Sequence, residues 1–174
     1  SVKDCQLSTM MNVTLFLLAA SLLSNLVKAL VPAPQFWNQA SSNVLRTVHP
    51  GDFQIITNSS FLMDGARKRI ADWFRLPDDF INYPLNPDSM VLEGLTQLFI
   101  IVESNATKLV QGVDESYELN IPATASATLH SKTVFGALRG LETFAQLLDF
   151  GWIKEDWGQA TFVVPAPQTI RDAP

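Results

Sequence analysis

Cysteine is almost missing from this chain: Cys5 is the only one among 174 residues, and it lies ahead of an apolar run near the N-terminus. An internal disulfide framework is excluded, and so are thiol catalysis and cysteine metal sites in everything after that run. Charge of one sign is scarce as well. Twelve Lys and Arg stand against 17 Asp and Glu, a net charge of −5, with both signs mixed along the sequence. That removes the basic footprint of a nucleic-acid binder, so no nucleic acid is expected as a partner. The only histidines are His49 and His130, in no HExxH or other metal-ligating spacing, and neither a GxSxG motif nor a glycine-rich phosphate loop occurs. The sequence therefore offers no catalytic residue, no metal ligand and no cofactor site.

Long hydrophobic runs are lacking too. The longest candidate, VTLFLLAASLL at residues 13–23, is eleven residues long, short of the ~20 that cross a bilayer as a helix. It has the length of a signal-peptide core and comes directly after Met10 and Met11. Val27 and Ala29 supply small residues at −3 and −1 of a cleavage before Leu30, although no positive charge lies between Met10 and the run. The expected organisation is a leader over residues 1–29, cleaved between Ala29 and Leu30, and one domain over residues 30–174. The competing readings of the run are an uncleaved anchor and a buried core helix. The mature domain has 145 residues and no cysteine, a length that a hydrophobic core alone can hold. Two glycosylation sequons fall in turns between periodic segments, Asn58-Ser59-Ser60 and Asn105-Ala106-Thr107, while a third at Asn12 lies inside the leader. These features predict a protein of the secretory pathway, extracellular or lysosomal or vacuolar, without a stable membrane anchor.

The strongest periodic signal is TVFGALRGLETFAQLL at residues 133–148. Val134, Ala137, Leu138, Leu141, Ala145 and Leu148 recur every three or four residues and define a buried helical stripe. Arg139 and Glu142, three apart, read as a surface ion pair of about 0.3–0.5 kcal/mol. Gly136 and Gly140, spaced as GxxxG, suggest close packing against a sheet. A second helix is expected over residues 61–74, with Phe61, Met63, Ala66, Ile70 and Trp73 or Phe74 inward and Ser59 or Ser60 as its cap. Strands are expected at residues 53–57, 95–102, 116–121, 123–129, 161–164 and 169–171, with a short one at Trp152-Ile153. The continuously apolar half of LTQLFIIV predicts a strand central in a sheet or covered on both faces. Strands before and between two helices, without regular βαβ alternation, predict an α+β fold: a single mostly antiparallel sheet with two helices on one face.

Acidic pairs occur at Asp78-Asp79, Asp114-Glu115 and Glu155-Asp156. A glycosidase needs two acids flanking one bond. Neighbours on a strand point to opposite faces, so these pairs read as solvated turns and sheet edges.

The ordered set DESYEL at residues 114–119, TVFGALRGLETF at 133–144 and IRDAP at 170–174 resembles the end of the N-terminal domain of the glycoside hydrolase family 20 β-N-acetylhexosaminidases. LVPAPQ at residues 30–35 is similar to that family's opening segment, with Val31 where a tryptophan is usual. The resemblance implies an auxiliary α+β domain, called zincin-like for its shape and without zinc, that packs on a (β/α)8 barrel placed after it in the chain. It implies an enzyme that removes terminal β-linked N-acetylglucosamine or N-acetylgalactosamine, with the substrate's acetamide as nucleophile. It also implies a glutamate acid and an aspartate orienter that both lie on the barrel. The catalytic barrel is absent from these residues, and Arg171 falls in the linker before its first strand. The resemblance thus implies an N-terminal fragment with a structural role, inactive alone, whose partner is its own barrel and which meets N-acetylhexosamine glycans only through the whole enzyme. The alternative is a free-standing secreted module of the same fold that binds glycans or a protein. Trp152, Phe162, Val163 and Val164 near the exit are expected to form an exposed apolar patch, which favours the detached domain over that module.

Overall fold

A computed structural model describes residue 30 and residues 33–38, 44–74, 90–151 and 161–174. The leader, the cleavage residue Ala29, Asp78-Asp79, Trp152 and Glu155-Asp156 lie outside the described residues. Within them the chain is α+β. The strands are β1 (Phe36–Asn38), β2 (Val44–Val48), β3 (Gln54–Thr57), β4 (Met90–Leu92), β5 (Gln97–Ser104), β6 (Tyr117–Ile121), β7 (Ala127–Thr133), β8 (Asp149–Gly151), β9 (Thr161–Pro165) and β10 (Gln168–Asp172). The helices are α1 (Ser60–Trp73) and α2 (Val134–Leu147).

The strands divide between two sheets, one six-stranded in the order β1-β10-β6-β7-β5-β3 and one four-stranded in the order β4-β2-β9-β8. This corrects the single, mostly antiparallel sheet. In the larger sheet β3, β5 and β7 run parallel, and β7, β6, β10 and β1 alternate in direction. The physical reason lies in the connections: β3 returns to β5 only after α1, and a parallel neighbour needs such a long crossover. Two consecutive strands, β6 and β7, can then pair antiparallel through the short turn at residues 122–126.

Alternation sets the inner face. Tyr117, Leu119 and Ile121 of β6 are buried, as their period of two predicts. On β5 the buried residues are Leu98, Ile100 and Val102, while Ile101 is 41% exposed. β5 lies inside the sheet between β7 and β3, as one of the two readings of its apolar run has it, and it is covered on one face only. β7 begins at Ala127 and not at residue 123, because residues 122–126 form the turn. β2, β4 and β1 escaped the sequence reading, since three to five residues with no clear alternation carry little signal.

The core lies between the large sheet, the helices and the inner side of the small sheet. Phe144 of α2 stacks on Phe53 at 5.6 Å, Trp73 sits 6.3 Å from Phe144, and Phe74 meets Phe162 edge-on at 4.8 Å. Those rings tie α1, α2 and β9 together. Leu62, and not Phe61 or Met63, anchors α1: Leu62 is buried and the other two are exposed. Phe162, Val163 and Val164 are buried as well. The apolar patch expected there is therefore a piece of core, because β9 pairs with β2 on one side and β8 on the other.

Candidate functional site

The residues that carry the family resemblance meet in space. Thr133 ends β7 and caps α2: its side chain accepts from the Gly136 amide at 3.2 Å and donates to the Asp114 carbonyl at 2.5 Å. One hydroxyl so joins the start of the helix to the segment entering β6. The Asp114 carboxylate accepts from the Ser116 amide at 2.9 Å, the Ser116 hydroxyl and Lys132 Nζ at 3.0 Å. These bonds, the Ser116 hydroxyl first and then Lys132, hold its pKa down at about 2. Glu115 turns the other way and accepts from Arg139 Nε at 2.7 Å, and Arg139 also reaches Glu142 at 3.4 Å. The ion pair read from the helix is real, but its better partner comes from outside the helix. Asp114 and Glu115 precede β6 rather than lying in it, and each engages its own cation.

Below this layer, the Tyr117 hydroxyl meets Thr143 Oγ1 at 2.6 Å in the interior, and burial pushes the phenol's pKa up. The glycines explain why the helix sits so low. A Cβ on Gly136 would lie 2.3 Å from the Ser116 carbonyl, and one on Gly140 would lie 2.3 Å from the end of the Leu129 side chain. The GxxxG spacing is a contact surface for a sheet. It also shifts the buried stripe: Gly136, Gly140, Thr143, Phe144 and Leu147 are buried, whereas Leu138, Ala145 and Leu148 are only half-buried. Counting apolar side chains misplaced the stripe, since a glycine in contact registers as no hydrophobe at all.

Beside this clasp lies an open groove of about 560 Å³, whose walls include Leu109, Val110, Gly112, Arg139 and Pro174. Its one carboxylate side chain is Glu115, already held by Arg139. Acid catalysis on a glycosidic bond needs two acids flanking it, and the walls of this groove supply one carboxylate side chain. Among the described residues, no group of three or more His, Cys, Asp or Glu side chains could hold a metal ion, and no helix is long and apolar enough to cross a membrane. His49 is half-buried in the turn after β2, and its carbonyl accepts from the Asp52 and Phe53 amides. His130 is exposed on the outer face of β7.

The two ends of the resemblance also come together. β1 pairs with β10, the Gln35 amide donates to Asp172 at 3.2 Å, and Arg171 pairs with Glu118 at 2.6 Å while lying over the Phe36 ring. Arg171 is thus engaged on the sheet's outer face. Leu30, at the proposed cleavage point, is buried in the core. Asn58 closes β3, and Asn105 lies on the exposed loop after β5. Arg46 was missed by sequence reasoning. Its side chain is 2% exposed and donates to four carbonyls, those of Glu93, Gly94, Pro122 and Ala125. Burial pulls its pKa down, with Glu93 opposing. A lone arginine inside VLRTV, an otherwise apolar and β-branched run, was the available signal.

A family model described as "beta-acetyl hexosaminidase like" matches residues 30–147. Beta-hexosaminidase 1 of Arabidopsis thaliana is 41% identical over 91 residues, covering 49% of this chain and 16% of that protein. Beta-hexosaminidase 3 of the same plant is 37% identical over 146 residues, covering 78% of this chain and 26% of its own length. A chitobiase of Flavobacterium johnsoniae shares the fold over 82% of this chain and 20% of its own, with a TM-score of 0.53 and 24% identity. The chain thus spans about a fifth of the length of the proteins it matches. With the clasp, its glycines and its paired acids all accounted for as one domain, this chain belongs to the beta-acetyl hexosaminidase like family and represents the N-terminal domain of the family 20 hexosaminidases.

Proposed function

We propose that this domain is the non-catalytic support of an exported β-N-acetylhexosaminidase, docking on a (β/α)8 barrel that carries the chemistry on terminal β-linked N-acetylhexosamine. The observation that carries the reading is the use of the motif residues. Asp114, Glu115, Tyr117, Thr133, Gly136, Arg139 and Thr143 hold α2 to β6 and β7, and the neighbouring groove contains one carboxylate side chain, which is paired with an arginine. Export is supported by the leader pattern over residues 1–29 and points to an extracellular, lysosomal or vacuolar destination. A free-standing binding module draws on the polar outer row Thr169, Asn120 and Thr128 across β10, β6 and β7, but it leaves the identity to hexosaminidases without a reason.

The test is hydrolysis of a chromogenic N-acetylglucosaminide by this chain, and by this chain joined to the part of the Arabidopsis beta-hexosaminidase 3 that lies beyond the matched region. The chain alone should release no chromophore and the fusion should turn over faster than the plant part alone. Turnover by the chain alone, or a fusion no better than the plant part, refutes the supporting role.

A further inference from the structure

Asn58 and Asn105 carry the same sequon and are both exposed, but the Asn58 side-chain amide is engaged by backbone. The Asn58 side chain continues the β3–β5 ladder beyond Thr57: Oδ1 accepts from the Val102 amide at 3.0 Å, and Nδ2 donates to the Val102 carbonyl at 2.9 Å. Ser59 beside it is buried, and Ser60 is the first residue of α1. To grip the amide and carbonyl of one residue, the side-chain amide must use the Nδ2 hydrogen on the same side as Oδ1. A glycosylated asparagine is a secondary amide, and like a peptide bond it places the incoming carbon on that same side. Sugar C1 would replace the hydrogen that reaches Val102, and the opposite arrangement is one that amides strongly disfavour. A glycan and the ladder bond exclude each other at Asn58. Asn105, Ala106 and Thr107 are all exposed, on a loop exposed through residue 112.

We propose that Asn105 is the N-glycan acceptor of the folded domain and that Asn58 is left bare as the lock at the end of the β3 edge; the proposal rests on the export reading above. Transfer joins Asn105 Nδ2 to C1 of an oligosaccharide, breaks the C1–O bond to its polyprenyl pyrophosphate carrier, and removes one Nδ2 proton as the carrier leaves. The transferase meets an extended chain, so both sequons are open to it. The fold then selects, because a chain modified at Asn58 cannot close the edge.

The full chain is expressed in a glycosylating eukaryotic host, once as it stands and once with an established signal peptide added ahead of Ser1. Glycan positions in the secreted pool are mapped by peptide mass after enzymatic release. The expected result is a glycan at Asn105 with Asn58 bare; Thr107→Ala abolishes it, and Ser60→Ala, which destroys the other sequon but keeps Asn58, changes nothing. A glycan on Asn58 of the secreted chain, or a bare Asn105, overturns the proposal. Secretion only with the added signal would sink the export reading and leave the glycan map to decide this one.

Discussion

Single atoms decide which glycines this domain can exchange. Gly65 and Gly136 both lie inside helices, where alanine is intrinsically favoured by about 1 kcal/mol. A Cβ on Gly65 meets nothing within 4 Å, whereas on Gly136 it meets the backbone of Ser116 and Glu115. Backbone cannot rotate away as a side chain can, and overpacking of this kind costs roughly 1–3 kcal/mol. Gly65→Ala should therefore stabilise the domain by up to about 1 kcal/mol and Gly136→Ala should destabilise it by up to about 2 kcal/mol net. Urea unfolding of both variants tests this, and equal signs would remove the close-approach explanation. Sequence exposed the spacing of Gly136 and Gly140 but not the neighbour. Nothing local to residues 133–148 says that the Ser116 carbonyl arrives opposite.

At the scale of elements, β6, β7 and α2 are bound into one unit by Asp114, Lys132 and Thr133. The Asp114 pKa lies near 2 in the folded chain against an ordinary 3.8, through the Ser116 hydroxyl first and Lys132 second. A carboxylate depressed on folding adds stability above its unfolded pKa, and that contribution fades as pH falls. Wild type and Asp114→Asn should therefore differ in stability at neutral pH and converge as pH drops from about 3.8 to about 2. Denaturant midpoints across that range measure it; a gap independent of pH would mean the carboxylate charge is not involved. Both helices were legible from their 3.6-residue period, and β6 from its alternation. The inward face of α1 was legible at its end, where Trp73 and Phe74 pack on the core, but not at its start, because Phe61, Leu62 and Met63 are three successive hydrophobes and only the position of the core selects Leu62.

Across the whole molecule the two sheets are joined by a charge. Arg46 leaves β2 in the small sheet and reaches Pro122 and Ala125 in the β6–β7 turn of the large one, as well as Glu93 and Gly94 after β4. Arg46→Met keeps bulk but leaves those carbonyls without their cation, a loss of roughly 3 kcal/mol or more. Arg46→Lys should fall between, since an ammonium cannot reproduce the planar fork. A methionine variant within about 0.5 kcal/mol of wild type in thermal or urea unfolding would show that the turn needs no such clamp. By itself the sequence determined the α+β class, the two helices, most of the larger sheet's strands and the family, because periodicity and motif order are properties of neighbours along the chain. Only the tertiary structure decided the division into two sheets, the parallel course of β3, β5 and β7, and the burial of Phe162 to Val164. It also turned Arg46 and Asn58 into fastenings, because each depends on which distant backbone groups arrive within hydrogen-bonding reach.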